Sequence, residues 1–259
     1  MKLVNLNIWG GQKHKELLEF VKKMNGKIDI ICLQEVFKSS TDIFSNGSKT
    51  NIYFDLEKIL KDYKVFFAPT FTNYDLKTKV NFDLKFGEAT FVKKSVDVIS
   101  DGTIFTYKNF DEKKIFFHDD FGEYWDLPRN FHYIIVRNNG KEFLIVNIHG
   151  FWKPGEKGDT KESLEQSDKI INFLKSFNVP KIICGDLNLS PKTKSIKELE
   201  KNMVNLITKY KISNTRSKFY TRNEKFADYI FVSPDVKVQD FKVLYKHVSD
   251  HLPLYLNFK

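Results

Sequence analysis

The chain has 259 residues and a mass of 30.5 kDa, enough for one α/β domain with a large core. Hydrophobic residues make up 41% of it, but the longest apolar runs are too short to span a bilayer, which excludes an integral membrane protein. The net charge of +9 favours a polyanionic partner such as nucleic acid, although the 42 Lys and Arg residues are spread along the whole length.

Strand-like and helical segments alternate through the first part of the chain. Residues 2–9 alternate as a strand does, and residues 12–24 place apolar side chains on one helical face. The segment 28–36, IDIICLQEV, is a near-continuous apolar run, which is typical of a strand buried on both faces. A helix is predicted over 53–61 and a strand over 63–68.

The middle and the end of the chain favour antiparallel strands around one long helix. Strands are predicted over 89–93, 96–105, 131–137, 142–149, 180–184, 226–233, 238–245 and 254–258. Asn139 and Gly140 predict a hairpin turn, and the clearest helix covers 159–177 with Asp159 as its N-cap and Glu162 closing a capping box. The pattern predicts an α/β fold of four layers, two mixed β-sheets packed face to face and flanked by helices, as a single domain over residues 1–259.

Polar side chains stand where the apolar strands begin or end. These residues are Asn7, Glu35, Asn147, His149, Asp186, Asn188, Asp228, Asp250 and His251. One such residue is explained by a turn or a cap, but so many at strand ends indicate a shared site, because an acid beside apolar residues is costly unless it is paired or binds a metal. Carboxylate and amide oxygens suit Mg²⁺ or Mn²⁺, and without a Cys cluster or a close His pair zinc is disfavoured. The histidines can carry protons near neutral pH.

The ordered motifs LNIW, LQEV, LPR, NIHG, GDLN, ADYIFVS and SDH resemble the endonuclease/exonuclease/phosphatase superfamily, which includes deoxyribonucleases, sphingomyelinases and inositol polyphosphate phosphatases. The resemblance runs from Asn7 to His251. It implies the same sandwich fold, a Mg²⁺ or Mn²⁺ cofactor, and hydrolysis of a phosphate ester by activated water.

The resemblance also implies a role for each matched residue. Glu35, Asn7 and Asp250 would bind the metal, and Arg129, Asn7 and Asn188 would contact the phosphate. Asp186 and Asn188 would position the attacking water, Asp228 would orient His251, and His149 would be the second active-site histidine. Glu88, in KFGEATF, matches a carboxylate that pancreatic-type deoxyribonucleases pair with the histidine at the position of His149.

The substrate is predicted less sharply than the chemistry. A nucleic-acid phosphodiesterase is our first interpretation, a phosphatase or phosphodiesterase for a lipid, inositol or other small phosphate is the second, and a catalytically silent binding module is the third. We expect a cytoplasmic protein, since no secretory leader pattern precedes the first strand. We also expect a monomer. Cys32 and Cys184 are predicted to be reduced core residues.

Further predictions concern individual aromatic, arginine and histidine side chains. Trp9 is expected in the core. Phe151 and Trp152 either contact the substrate or pack, and Arg216 either reaches the substrate or lies on the surface. His14, His118, His132 and His247 are expected to be surface or packing residues, with a place near the site as the alternative for His247, which is close to His251 in sequence.

Overall fold

A computed structural model of the chain describes residues 1–109, 127–153, 155 and 158–259. Its first elements are β1 (Lys2–Asn7), α1 (His14–Met24), β2 (Ile30–Lys38), β3 (Phe44–Ser45), β4 (Ser48–Lys49), α2 (Ile52–Ile59), β5 (Tyr63–Thr72), β6 (Lys85–Lys93) and β7 (Asp97–Tyr107). They are followed by β8 (Arg129–Asn138), β9 (Lys141–His149), α3 (Lys161–Lys175), β10 (Lys181–Asp186), α4 (Lys194–Glu200), β11 (Val204–Asn205), α5 (Leu206–Lys209), β12 (Asp228–Val232), β13 (Val238–Val243) and β14 (Leu254–Phe258).

The strands form two six-stranded mixed sheets. The first has the order β13-β14-β1-β2-β6-β5 and the second the order β11-β12-β10-β9-β8-β7. Each sheet contains one parallel pair at its centre, β1 with β2 and β9 with β10, and its other neighbouring strands are antiparallel. The predicted α/β sandwich of two mixed sheets flanked by helices is therefore confirmed.

Two apolar clusters hold the layers together. One joins the two sheets to α3 and α4, and in it the rings of Phe143 and Phe258 meet edge to face at 5.2 Å between centroids. The other packs α1 and α2 on the outer face of the first sheet, with Leu17 and Leu56 fully buried. Burial of each large apolar side chain stabilises the fold by about 1.5–3 kcal/mol, so the sandwich requires both clusters.

Most predicted elements are present, with ends that differ by a few residues. The largest differences are at β6, which begins at Lys85 and not at Ala89, and at β5, which ends at Thr72 and not at Ala68. Asn139 and Gly140 form the predicted turn, both with positive φ. Cys32 and Cys184 are free and buried, as predicted. Within the described ranges, none of the helices is long and apolar enough to cross a membrane.

The predicted cap of the long helix is wrong. Thr160 is the N-cap of α3: its hydroxyl accepts from the Ser163 N–H at 3.1 Å, and Ser163 Oγ accepts from the Thr160 N–H at 2.9 Å. Asp159 instead accepts from the N–H groups of Lys194 and Ser195, at 2.6 and 2.8 Å, at the N-terminus of α4, whose N-cap is Thr193. A carboxylate suits either helix N-terminus, and tertiary packing decides which one it reaches.

The two parallel pairs place their carboxyl ends at the same end of the sandwich. Asn7 ends β1 and lies opposite Gln34 of β2, next to Glu35. Asp186 ends β10 and lies opposite both His149, the end of β9, and Asp228, the start of β12. Most of the predicted site residues therefore meet at one edge shared by the two sheets.

Candidate active site

A cavity of about 370 Å³ opens at this edge. Seven of the predicted site residues line it: Glu35, Arg129, His149, Asp186, Asn188, Asp250 and His251. Its wider wall carries the rings of Trp9, Phe71, Tyr74, Phe86, Trp152, Phe219 and Tyr220. The cavity therefore combines acids and bases at its floor with aromatic walls, as ligand sites in enzymes commonly do.

Glu35 owes its position to a β-bulge. The register between β2 and β6 shifts between Leu33 and Val36, and Glu35 lies in the shift with a φ of 57°. A non-glycine residue in the left-handed region is strained, and such strain is found at functional sites, where a bulge re-aims a side chain. Burial and the nearby Asp250 carboxylate raise the pKa of Glu35 to about 7.

Asn7 joins the acids of the two sheets. Its Nδ2 donates to Glu35 Oε1 at 2.9 Å and to Asp186 Oδ2 at 3.1 Å, while its Oδ1 accepts from the Trp9 N–H. The amide nitrogen of Asn7 therefore holds the two carboxylates in place, and its role as a metal ligand stays a prediction.

Three side chains form a candidate metal site. Ligand atoms of Glu35, His149 and Asp186 lie within 4.8 Å of one another, with His149 Nε2 at 3.7 Å from Glu35 and 4.0 Å from Asp186. Two carboxylates this close repel each other unless a cation or a proton lies between them, which agrees with the raised pKa of Glu35. The predicted ligand Asp250 lies 3.7 Å from His251 Nε2 and is close enough to Glu35 to raise the pKa of that carboxyl group.

His251 is held from both sides. Its Nδ1 lies 2.7 Å from Asp228 Oδ2, and both side chains are buried, so the orienting contact predicted for Asp228 is present. Its Nε2 contacts NH1 of Arg216 and lies 3.5 Å from Asp186 Oδ2. Because a guanidinium only donates, Nε2 is the acceptor here and the proton of the neutral ring is on Nδ1, facing Asp228.

Two glycines allow β9 and β10 to approach closely enough to bring the acids and histidines together. A Cβ on Gly185 would lie 2.0 Å from the Ile148 carbonyl oxygen, and one on Gly150 would lie 2.7 Å from that of Leu187. Beside them, Asp186 Oδ1 accepts from the Asn188 N–H at 2.8 Å, which fixes the turn after β10. The glycines of NIHG and GDLN are therefore required by packing.

Arg129 lines the cavity as predicted, and Glu88 is a buried acid. Arg129 is buried and its guanidinium donates to the carbonyls of Gly150 and Pro128, at 3.3 and 2.9 Å. Glu88 accepts from Thr70 Oγ1 at 3.3 Å, and its pairing with His149 stays a prediction. Burial raises the pKa of Glu88 to about 8, so the group is mainly a neutral acid at pH 7.

Asn147 belongs to a buried network beneath the cavity and not to the site. Gln34 Nε2 donates to Asn147 Oδ1, Asn147 Nδ2 donates to Thr90 Oγ1 at 3.2 Å, and Thr90 Oγ1 lies 3.0 Å from His132 Nδ1. The network links Gln34 of the first sheet to Asn147 of the second sheet. It confirms His132 as a packing residue.

The remaining predictions have mixed outcomes. Trp9 is half-buried in the cavity wall, so its placement in the core is wrong. Phe151 is 2% exposed and packs on Tyr107, whereas Trp152 lines the cavity. His14 pairs with Asp55, and His118 lies outside the described residues.

Arg216 is the main residue whose role the sequence left open. It is only 6% exposed, contacts His251 Nε2, lies 3.5 Å from Asp250 Oδ2 and stacks on the Tyr220 ring at 4.1 Å. The rarity of arginine in the sequence is a signal that could have identified this residue. The chain has only four arginines among its 42 basic residues, and Arg129, Arg216 and Arg222 line the cavity, which leaves Arg137 outside it. Arginine suits planar, bidentate binding of phosphate better than lysine does.

Comparisons with known proteins agree with this geometry. The sequence model of the Endonuclease/Exonuclease/phosphatase family matches residues 4–251. Sphingomyelinase C 2 of Leptospira interrogans serogroup Icterohaemorrhagiae serovar Lai (strain 56601) is 27% identical over 250 residues, which cover 88% of this chain. The match covers 37% of that relative, so the chain spans little more than a third of its length.

Solved structures share the fold at low sequence identity. The mannosyl-6-phosphatase of Bacteroides thetaiotaomicron VPI-5482 superimposes with a TM-score of 0.70 and 19% identity, covering 100% of this chain and 99% of that one. An endonuclease/exonuclease/phosphatase family protein from Leptotrichia buccalis C-1013-b gives 0.72 and 17%, with the same coverage. At these identities the likeness shows the fold alone.

Proposed function

Because the chain belongs to the endonuclease/exonuclease/phosphatase family, we propose that it hydrolyses a phosphodiester with water and a divalent cation, Mg²⁺ or Mn²⁺. The observation that carries the proposal is the convergence of Glu35, Asp186, His149 and the His251–Asp228 pair on one cavity. An enzyme of this kind needs cation ligands, a proton carrier and a clamp for the phosphate, and the cavity provides each of them.

Glu35 and Asp186 would hold the cation, with His149 beside them and Asn7 fixing both carboxylates. When bound, a divalent cation lowers the pKa of water and offsets phosphate charge. The oxygen-rich donor set favours Mg²⁺ or Mn²⁺.

The other groups act on the phosphate and on protons. Arg129 and Arg216 carry their charges into the cavity and would clamp the phosphate oxygens, replacing the contact that Arg216 makes with His251. Once Nε2 is free, His251 would accept or donate a proton there, while Asp228 holds the tautomer and stabilises the imidazolium. Asn188, fixed by Asp186, would contact a phosphate oxygen.

Two substrate classes remain as candidates. A nucleic-acid strand is supported by the net charge of +9 and by the arginines of the cavity. A choline phospholipid is supported by the similarity to a protein named as a sphingomyelinase. We place nucleic acid first.

A panel of phosphodiesters tests the proposed chemistry. The chain would be assayed with Mg²⁺, Mn²⁺ or EDTA on bis(p-nitrophenyl) phosphate, single-stranded DNA, RNA and sphingomyelin vesicles. We expect metal-dependent turnover of the chromogenic diester and its loss in Glu35→Gln. If no diester is hydrolysed with either metal while the protein is folded, the proposal is wrong.

A further inference from the structure

Three aromatic rings in the cavity wall carry a cation of the chain itself. The guanidinium of Arg216 lies 4.1 Å from the Tyr220 ring centre, and that of Arg222 lies 5.7 Å from the Trp152 ring centre. Phe219 has Lys13 at 4.2 Å and Lys218 at 5.4 Å. Such pairs fix a charge over a ring, so the mouth of the cavity has ordered positive charges beside the reaction centre.

This arrangement disfavours a quaternary ammonium group. Recognition of choline uses several open aromatic faces that surround the cation. Here the rings of Phe219, Tyr220 and Trp152 already face cations of the chain, and Phe71 and Phe86 are buried and stacked on each other at 4.5 Å. Tyr74 is buried against Phe71, and Trp9 is the remaining ring of the wall. A choline headgroup at the mouth would therefore meet like charges.

The acids near the mouth are engaged with donors of the chain. Asp75 accepts from Ser45 Oγ and Asn46 Nδ2, at 2.5 and 2.7 Å, and from the N–H groups of Lys77 and Thr78. Glu224 accepts from the Tyr220 hydroxyl at 3.0 Å. These acids are held by hydrogen bonds, whereas Arg222 is exposed and lines the cavity with its guanidinium over the Trp152 ring.

The geometry points to a second anion subsite at the mouth, formed by Arg222 on Trp152 and supported by Lys13 on Phe219, which takes a phosphate next to the scissile one. This inference rests on the proposed phosphodiesterase function and names its substrate class: a nucleotide strand, in which each diester has a phosphate neighbour. Trp152 follows the catalytic strand end at His149 by three residues, so the subsite adjoins the reaction centre. Arginine suits it because its fork binds phosphate bidentately.

One chromogenic series tests the subsite. Release of p-nitrophenol with Mg²⁺ would be compared for bis(p-nitrophenyl) phosphate, for the p-nitrophenyl ester of thymidine 5′-phosphate with and without a 3′-phosphate, and for p-nitrophenylphosphorylcholine. We expect the 3′-phosphate to raise kcat/KM, mainly by lowering KM. The choline ester should be a poorer substrate than either nucleotide ester. For the nucleotide ester that carries the 3′-phosphate, Arg222→Gln should lower kcat/KM roughly three- to tenfold. It should also reduce the slope of log(kcat/KM) against log[salt] by about one.

Arg137→Gln is the matched control. This substitution removes the one arginine outside the cavity, which lies at the end of β8 far from Arg129. It should leave kcat/KM unchanged for every substrate. Failure of all four esters with folded protein would refute the phosphodiesterase proposal itself. Turnover of the simple diester with no gain from the 3′-phosphate, a gain that survives Arg222→Gln, or preference for the choline ester would refute the subsite alone.

Discussion

His251 Nδ1 lies 2.7 Å from Asp228 Oδ2 in a buried pair whose other face, Nε2, points into the cavity beside Asp186. The pair joins β12 to the residue that precedes β14 by three positions, so it forms only when the second and first sheets are packed. Its geometry is that of an imidazole whose tautomer is set by a carboxylate.

Asp228→Asn should lower kcat by roughly 100-fold or more and leave apparent Mg²⁺ affinity near the wild-type value, because an amide cannot stabilise an imidazolium. Rate measured against Mg²⁺ concentration checks this. Asp55→Asn, which alters the His14–Asp55 pair away from the cavity, is the control. Full recovery of the rate by excess metal would show that Asp228 binds the cation instead.

Glu35→Gln should remove most metal-dependent turnover while the protein remains folded, since the amide keeps the shape and removes the charge that holds the cation. Calorimetric Mg²⁺ or Mn²⁺ binding should weaken in parallel. Glu142→Gln, at the far end of β9, serves as the control. Normal binding and turnover in the Glu35 variant would remove this residue from the site.

His149→Ala and His251→Ala should each lower turnover roughly 100-fold, the size expected for a lost proton carrier. The double variant should lose less than the product of the two effects if both side chains serve one step. Steady-state rates of the three variants with Mg²⁺ give the comparison. Near-native turnover of either single variant would make that histidine a packing residue.

Arg216→Gln should raise KM for a phosphodiester and the inhibition constant of inorganic phosphate about tenfold, because a buried guanidinium in the cavity loses its contact with phosphate. Arg216→Lys should recover part of this loss, since the charge remains without the fork. Arg137→Gln is the control. Unchanged phosphate inhibition in Arg216→Gln would limit Arg216 to holding His251.

His132 predicts a loss of stability in acid. Burial lowers the pKa of His132 to about 4 from an ordinary 6.5, so the folded state favours the neutral ring. The unfolded chain then binds more protons between these values, and stability that is complete above pH 6.5 falls by about 3 kcal/mol as the pH drops through 4. The free energy of unfolding, measured with urea from pH 7 to pH 4, should fall by this additional amount in the wild type and not in His132→Gln. Parallel curves for the two proteins would contradict it.

The sequence alone determined the sandwich, most of its strands and nearly all of the acids and histidines of the cavity. Local patterns were sufficient for this, because strand periodicity and a polar residue at a strand end are written in neighbouring positions. Asp186 and His149 at the ends of apolar runs are examples, and the structure places them opposite each other in one register.

Only the tertiary structure decided which side chains meet. The bulge that turns Glu35 into the cavity depends on pairing with β6, and Arg216 reaches His251 from a segment without regular structure. Asn147 enters the interior network, although its local sequence resembles those of site residues. Periodicity gives the face of a strand on which a side chain lies, but the partner on the opposing element comes from packing between distant parts of the chain.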